Sequence, residues 1–160
     1  MAEIDSVAES IARRLSDRHE TVAVAESSAG GLIAAALLGV AGASAYFKGG
    51  VVAYSNEVKE RLLGVPADLL ADHGAVSAEV AQAMAEGARR ALGADVAVAI
   101  TGIAGPDADG TGKPVGLTHL WLAASDAGEG RKLVFGGDRW GNRRQAVGEA
   151  LGLLLARVGG

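Results

Sequence analysis

Cysteine is absent from the 160 residues, which excludes disulfides, zinc–thiolate sites and a cysteine nucleophile. Aromatic residues are almost as scarce, with two each of Trp, Tyr and Phe, so a core has to be assembled from small aliphatic side chains on closely spaced elements. That composition also suits a close-packed homo-oligomer, a dimer or higher. The three histidines, His19, His73 and His119, are far apart and match no metal-ligand spacing, so neither a metal nor a cofactor is expected. Basic charge is lacking too: 15 Lys and Arg face 19 Asp and Glu, a formal net charge of −4, which argues against nonspecific binding to nucleic acid. The opening M-A-E-I-D-S-V carries acids where a secretion signal carries bases, so the expected location is cytoplasmic. Ser27 to Phe47 contains no charged residue and is as long as a membrane span. It is nevertheless mostly Ala and Gly, interrupted by Gly39, Gly42 and Ser44, and a buried helix followed by a loop is the better reading.

Hydrophobic residues make up 49% of the chain, enough for one domain spanning residues 1–160 with a sizeable core. Ile4, Val7, Ala8, Ile11 and Leu15 recur at helical spacing and predict an amphipathic first helix. Thr21 to Ala25 reads as a short strand. E-S-S-A-G-G then opens an Ala-rich helix to about Leu38, a strand–turn–helix arrangement whose free backbone N–H groups suit an anion. Gly49 to Ser55 reads as a buried strand, followed by helices over about 56–63 and from Pro66 to His73-Gly74. Ser77 caps a longer helix that Gly93 ends. Asp95 to Thr101 reads as a central strand. Leu117–Ala124 and Arg131–Phe135 form a hairpin, and a last helix runs from about Trp140 to Val158. Alternation of strand and helix predicts an α/β three-layer sandwich, a mixed sheet of about five strands with helices on both faces.

Ligands in open α/β sheets sit beyond the carboxyl ends of the strands, which directs attention to S-A-Y-F-K-G-G-V-V-A-Y-S-N-E-V-K, Ser44 to Lys59. Tyr54 lies near a strand end and Lys59 one turn into the next helix, with Ser44 upstream on a loop able to fold back. Hydroxyl, phenol and amine together are the parts of a serine nucleophile with a lysine base. Taken singly, Ser44 reads as a local cap, Tyr54 as core and Lys59 as surface. Glu26-Ser27-Ser28-Ala29-Gly30-Gly31, taken alone, reads somewhat more readily as a helix cap with packing glycines than as a site. Thr101 and Gly102 end another strand at the same edge. G-T-G-K-P lacks the Ser or Thr and the glycine spacing of an ATP-type phosphate loop.

With A-E-S-S-A-G-G (Ala25 to Gly31), H-G-A-V-S (His73 to Ser77), I-T-G-I-A-G-P (Ile100 to Pro106) and K-P-V-G (Lys113 to Gly116), the sequence resembles the CinA C-terminal domain family, associated with nicotinamide-mononucleotide deamidases. The family usually reads A-E-S-C-T-G-G where this chain has Ser28 and Ala29, and G-S-S-A-Y-F where this chain has Ala43 before Ser44. The resemblance implies hydrolysis of the carboxamide of nicotinamide mononucleotide to the nicotinate mononucleotide and ammonia. Ser44, Tyr54 and Lys59 would be catalytic. Ser27, Gly30, Thr101 and Gly102 would line the substrate pocket, and Arg139 and Arg143 of G-D-R-W-G-N-R-R would take the phosphate, a role bidentate guanidinium groups suit. The alternative it implies is a non-catalytic nucleotide- or protein-binding module linked to competence and DNA-damage responses.

Overall fold

The computed structural model describes residues 2–160. In chain order the elements are α1 (Ala2–Arg18), β1 (Val22–Glu26), α2 (Leu32–Leu38), a 3-10 turn (Ala43–Ala45), β2 (Phe47–Val52), α3 (Asn56–Leu63), α4 (Ala67–His73), α5 (Ala78–Leu92), β3 (Val96–Gly102), β4 (Leu117–Ala124), β5 (Gly128–Val134) and α6 (Arg139–Gly159). The strands form one mixed sheet in the order β2-β1-β3-β4-β5. β2, β1 and β3 run parallel, while β4 and β5 are antiparallel to their neighbours.

The two central strands explain the layering. Both read Val-Ala-Val-Ala, and successive side chains of a strand point to opposite faces. Val22, Val24, Val96 and Val98 therefore join Ile11, Leu15, Ile33, Leu37, Leu151 and Leu154 beneath α1, α2 and α6. Ala23, Ala25, Ala97 and Ala99 meet Leu63, Val80 and Met84 on the opposite face, beneath α3 and α5. Where α5 passes α3 there is no room for a side chain: a Cβ on Gly87 would lie 1.9 Å from the Leu63 carbonyl oxygen.

Several boundaries differ from the sequence expectation. The stretch around Gly49–Gly50 begins earlier, at Phe47, and forms an edge strand whose residues alternate between half-buried and exposed, not a buried central strand. A short apolar run does not distinguish the two, because an edge strand with one covered face also tolerates Val51 and Val52. β5 begins at Gly128, before the expected Arg131, so half of the expected connection 125–130 is strand. No helix among the described residues is long and apolar enough to cross a membrane.

Candidate active site

β1 and β2 end together, with Glu26 opposite Val52, so the residues that follow each strand meet at one sheet edge. After β1 the backbone turns sharply through Gly30 and Gly31, at φ of 64° and 95°, conformations that glycine adopts without steric cost. Glu26 fastens the turn from below: its carboxylate accepts from the N–H groups of Gly31 (3.0 Å), Ile33 (3.1 Å) and Ala34 (2.8 Å). The helix start expected to be free for an anion is thus occupied by the chain's own acid. Burial pushes the Glu26 carboxyl up, while these donors and the Arg143 charge pull the other way.

Ser27 follows Glu26 at the mouth of the turn, its N–H donating to the Ile100 carbonyl across the sheet. Its Oγ lies 3.3 Å from Nζ of Lys59, which also donates to the Tyr54 carbonyl at 3.0 Å. Ser55 caps α3 by accepting from Val58 N–H, and this start places Lys59 on the inward face of the helix. The lysine is 1% exposed, and among the described residues it has no carboxylate partner. Burial alone holds its amine below the ordinary lysine range, because desolvation penalises the charged form.

The pair opens into a cleft of about 300 Å³ bounded by Ser28, Tyr54, Thr101, Gly102, Gly105 and Arg139. Tyr54 is 67% exposed and stands at the entrance, not in the core. Thr101 donates to the Ala75 carbonyl at 2.7 Å, pinning the segment before α5 against the sheet. Gly102 lies close enough to Ser28 that an added Cβ would stand 3.2 Å from its Oγ. Arg139 borders the cleft and donates to the Gly105 carbonyl at 2.6 Å. Asp107 and Asp109 share the rim with it.

Three expected site residues are placed elsewhere. Ser44 sits in the 3-10 turn Ala43–Ala45 before β2, exposed at the amino end of that strand, whereas Lys59 follows its carboxyl end. Six strand residues separate the two ends by about 20 Å. The serine that faces Lys59 is Ser27, 32 positions away along the chain. Arg143 does not line the cleft: its guanidinium donates to the carbonyls of Ser28 and Ala29, both at 3.0 Å, and lies 5.0 Å from the centre of the Trp140 ring. Gly30 lies behind the turn, where an added Cβ would meet that guanidinium at 3.0 Å.

One contributor lies inside G-D-R-W-G-N-R-R, between the two arginines that draw attention to that stretch. Asn142 is buried on the first turn of α6, donating to the Ala104 carbonyl at 3.1 Å and accepting from Gly137 N–H at 2.8 Å. It locks the helix that carries Arg139 to the loop that walls the cleft.

A serine hydroxyl against a dehydrated amine, at the carboxyl edge of a mixed α/β sheet, is the arrangement of a lysine-assisted nucleophile. Comparison with known proteins defines the family. The profile of the CinA C-terminal domain matches residues 4–158, and the chain belongs to that family. It is 53% identical over 150 residues to a CinA-like protein of Anaeromyxobacter sp. (strain K), covering 94% of this chain and 37% of that protein. A CinA-like protein of Geobacter sulfurreducens is 50% identical over 148 residues, covering 92% of this chain and 36% of the relative. The chain therefore spans just over a third of the length of these relatives. Among solved structures, the competence/damage inducible protein of Agrobacterium tumefaciens superposes with a TM-score of 0.93 at 40% identity, covering 96% of this chain and 94% of that one. Competence damage-inducible protein A of Klebsiella pneumoniae gives 0.95 at 35% identity, covering 98% and 97%.

Proposed function

We propose that this chain hydrolyses the carboxamide of nicotinamide mononucleotide, with Ser27 as nucleophile and Lys59 as its base. The observation that carries the reading is the Lys59 amine, dehydrated, without a counter-ion among the described residues, and 3.3 Å from the Ser27 hydroxyl. An amine in that state spends part of its time neutral, and a neutral amine accepts the proton that Ser27 releases.

Ser27 Oγ forms a bond to the carboxamide carbon while its proton passes to Lys59 Nζ. The oxyanion that develops is met by the Ser28 N–H. That donor is aimed outward because the carbonyl of the same peptide unit, Ser27 O, is turned back to accept from Gly30 N–H at 3.2 Å. The ammonium of Lys59 then protonates the leaving nitrogen, the C–N bond breaks and ammonia departs. A water molecule, deprotonated by the same amine, resolves the acyl-serine to the carboxylate and restores Ser27. Tyr54 at the entrance offers a flat face to the pyridine ring, and Arg139 across the cleft takes the phosphate.

Ammonia release from nicotinamide mononucleotide tests this reading in wild type, Ser27→Ala and Ser44→Ala. Loss of the nucleophile is expected to cost at least about 10³-fold in kcat, with Ser44→Ala close to wild type. Full activity in Ser27→Ala would refute the assignment. Tight binding of the mononucleotide with no ammonia released by the wild type would favour a non-catalytic binding module.

A further inference from the structure

A second recess lies on the α5 side of the sheet, between the start of α5 and the β4–β5 hairpin, with a volume of about 540 Å³. We propose that it is a separate binding site for an organic phosphate, one whose ester group is apolar or aromatic. His119 and Lys132 are directly opposed across β4 and β5, and residues in that relation point to the same face. Both line the recess. His119 is only 8% exposed, yet among the described residues its imidazole makes no hydrogen bond. Lys132 has no carboxylate within ion-pair distance among the described residues. Among the described residues, neither the His119 ring nitrogens nor the exposed Lys132 ammonium at the rim is engaged by the protein, so both can donate to an acceptor that enters the recess.

The rest of the recess has the same character. Its one acid, Glu79, lies 3.6 Å from His73 Nδ1. Lys113 is a strut whose Nζ donates to the carbonyls of His73 and Val76, at 2.7 and 2.6 Å, and its charge still faces the same space. The first turn of α5 opens here. Ser77 accepts from Val80 N–H, and the Ala78 and Glu79 N–H groups have no acceptor among the described residues, a favourable seat for negative charge. Val76, Pro114, Leu117 and Val134 form the remaining wall. A bare inorganic ion would leave that apolar surface unused, which is why the occupant is an ester.

The site is distinct from the Ser27–Lys59 cleft but shares a wall with it, because Val76 borders both. It stands independently of the reaction assigned to that cleft.

The test follows the His119 imidazole by proton NMR during pH titration, with His19 as an internal reference, in the presence of phenyl phosphate or inorganic phosphate. Burial, then Lys132 and Lys113, hold the His119 pKa down, against a smaller opposing effect of Glu79. An anion bound there stabilises the imidazolium, so phenyl phosphate is expected to move the midpoint upward, at lower concentration than inorganic phosphate. Lys132→Met is expected to weaken phenyl phosphate about tenfold or more while ammonia release stays at the wild-type level. Arg139→Ala, which alters the other cleft, leaves the His119 response in place. A His119 midpoint indifferent to both anions overturns the site. Equal affinity for the two anions overturns the apolar half of the proposal, and a response lost in Arg139→Ala reassigns the binding to the main cleft.

Discussion

Replacing Gly87 by alanine adds one methyl group, and the geometry says where its effect must appear. The new Cβ would stand 1.9 Å from the Leu63 carbonyl oxygen, whereas ordinary contacts begin at 3.4 Å, so α3 and α5 must separate by about 1.5 Å. α5 is wedged against β3 and β4 by Val80, Met84, Ala85 and Ala88, so the shorter, more peripheral α3 is the element that yields. Overpacking of this kind costs about 1–3 kcal/mol, which lowers Tm by about 2–10 °C in a chain of this size. The same displacement moves the base. Lys59 sits one turn before Leu63, its amine 3.3 Å from Ser27 Oγ, and a shift of that size takes it outside hydrogen-bonding reach. Gly87→Ala is therefore expected to lose activity out of proportion to stability, with kcat down about tenfold or more at temperatures where the variant is fully folded. Calorimetry and ammonia release on the same preparation check it. A variant with unchanged Tm and kcat would show that the α3–α5 approach does not set the site.

Three further perturbations bear on the same site. With neutral Lys59 as the proposed base, kcat/KM should climb with pH through a midpoint below the ordinary lysine value of about 10.4, and a flat profile would exclude the amine as base. An amine depressed on folding costs stability once the unfolded chain is protonated. That cost is absent above about pH 10.5, grows as pH falls and is complete below the depressed value. Lys59→Met should then be inactive but more stable than wild type at neutral pH, with the difference closing in alkaline denaturant melts. Arg143→Ala frees the Ser28 and Ala29 carbonyls and loosens the turn behind the nucleophile, so kcat should fall about 10–100-fold with little change in KM. A raised KM at unchanged kcat would return Arg143 to a phosphate-binding role.

The layered architecture was legible because the alternation of strand and helix, and the caps Ser77 and Gly93 that bound α5, are local signals. Tyr54, Lys59, Thr101 and Gly102 fall beside the strand ends where the chain order puts them, whereas Arg139, at the start of α6, is marked by the resemblance alone. Pairing Lys59 with Ser44 follows proximity along the chain, and a strand intervenes that carries the two to opposite ends. The available signal was topological: in parallel crossovers the residues just after successive strands become neighbours, which points to Ser27. The roles of Arg143 and Asn142 depend on how α6 docks against loops far away in sequence, and no periodicity encodes that.

The two faces of the sheet also differ in what they can absorb. On the side of α1, α2 and α6, large aliphatic side chains interlock, so a methylene lost at one position leaves several neighbours able to close on the space. The alanine layer beneath α5 is only one methyl deep, and the helix bearing Lys59 packs against α5 above it. Enlarging Ala23, Ala25, Ala97 or Ala99 would lift α5, and the Lys59 helix with it, as a shim lifts a lever, so side-chain volume on this flank is coupled to where the amine of Lys59 stands.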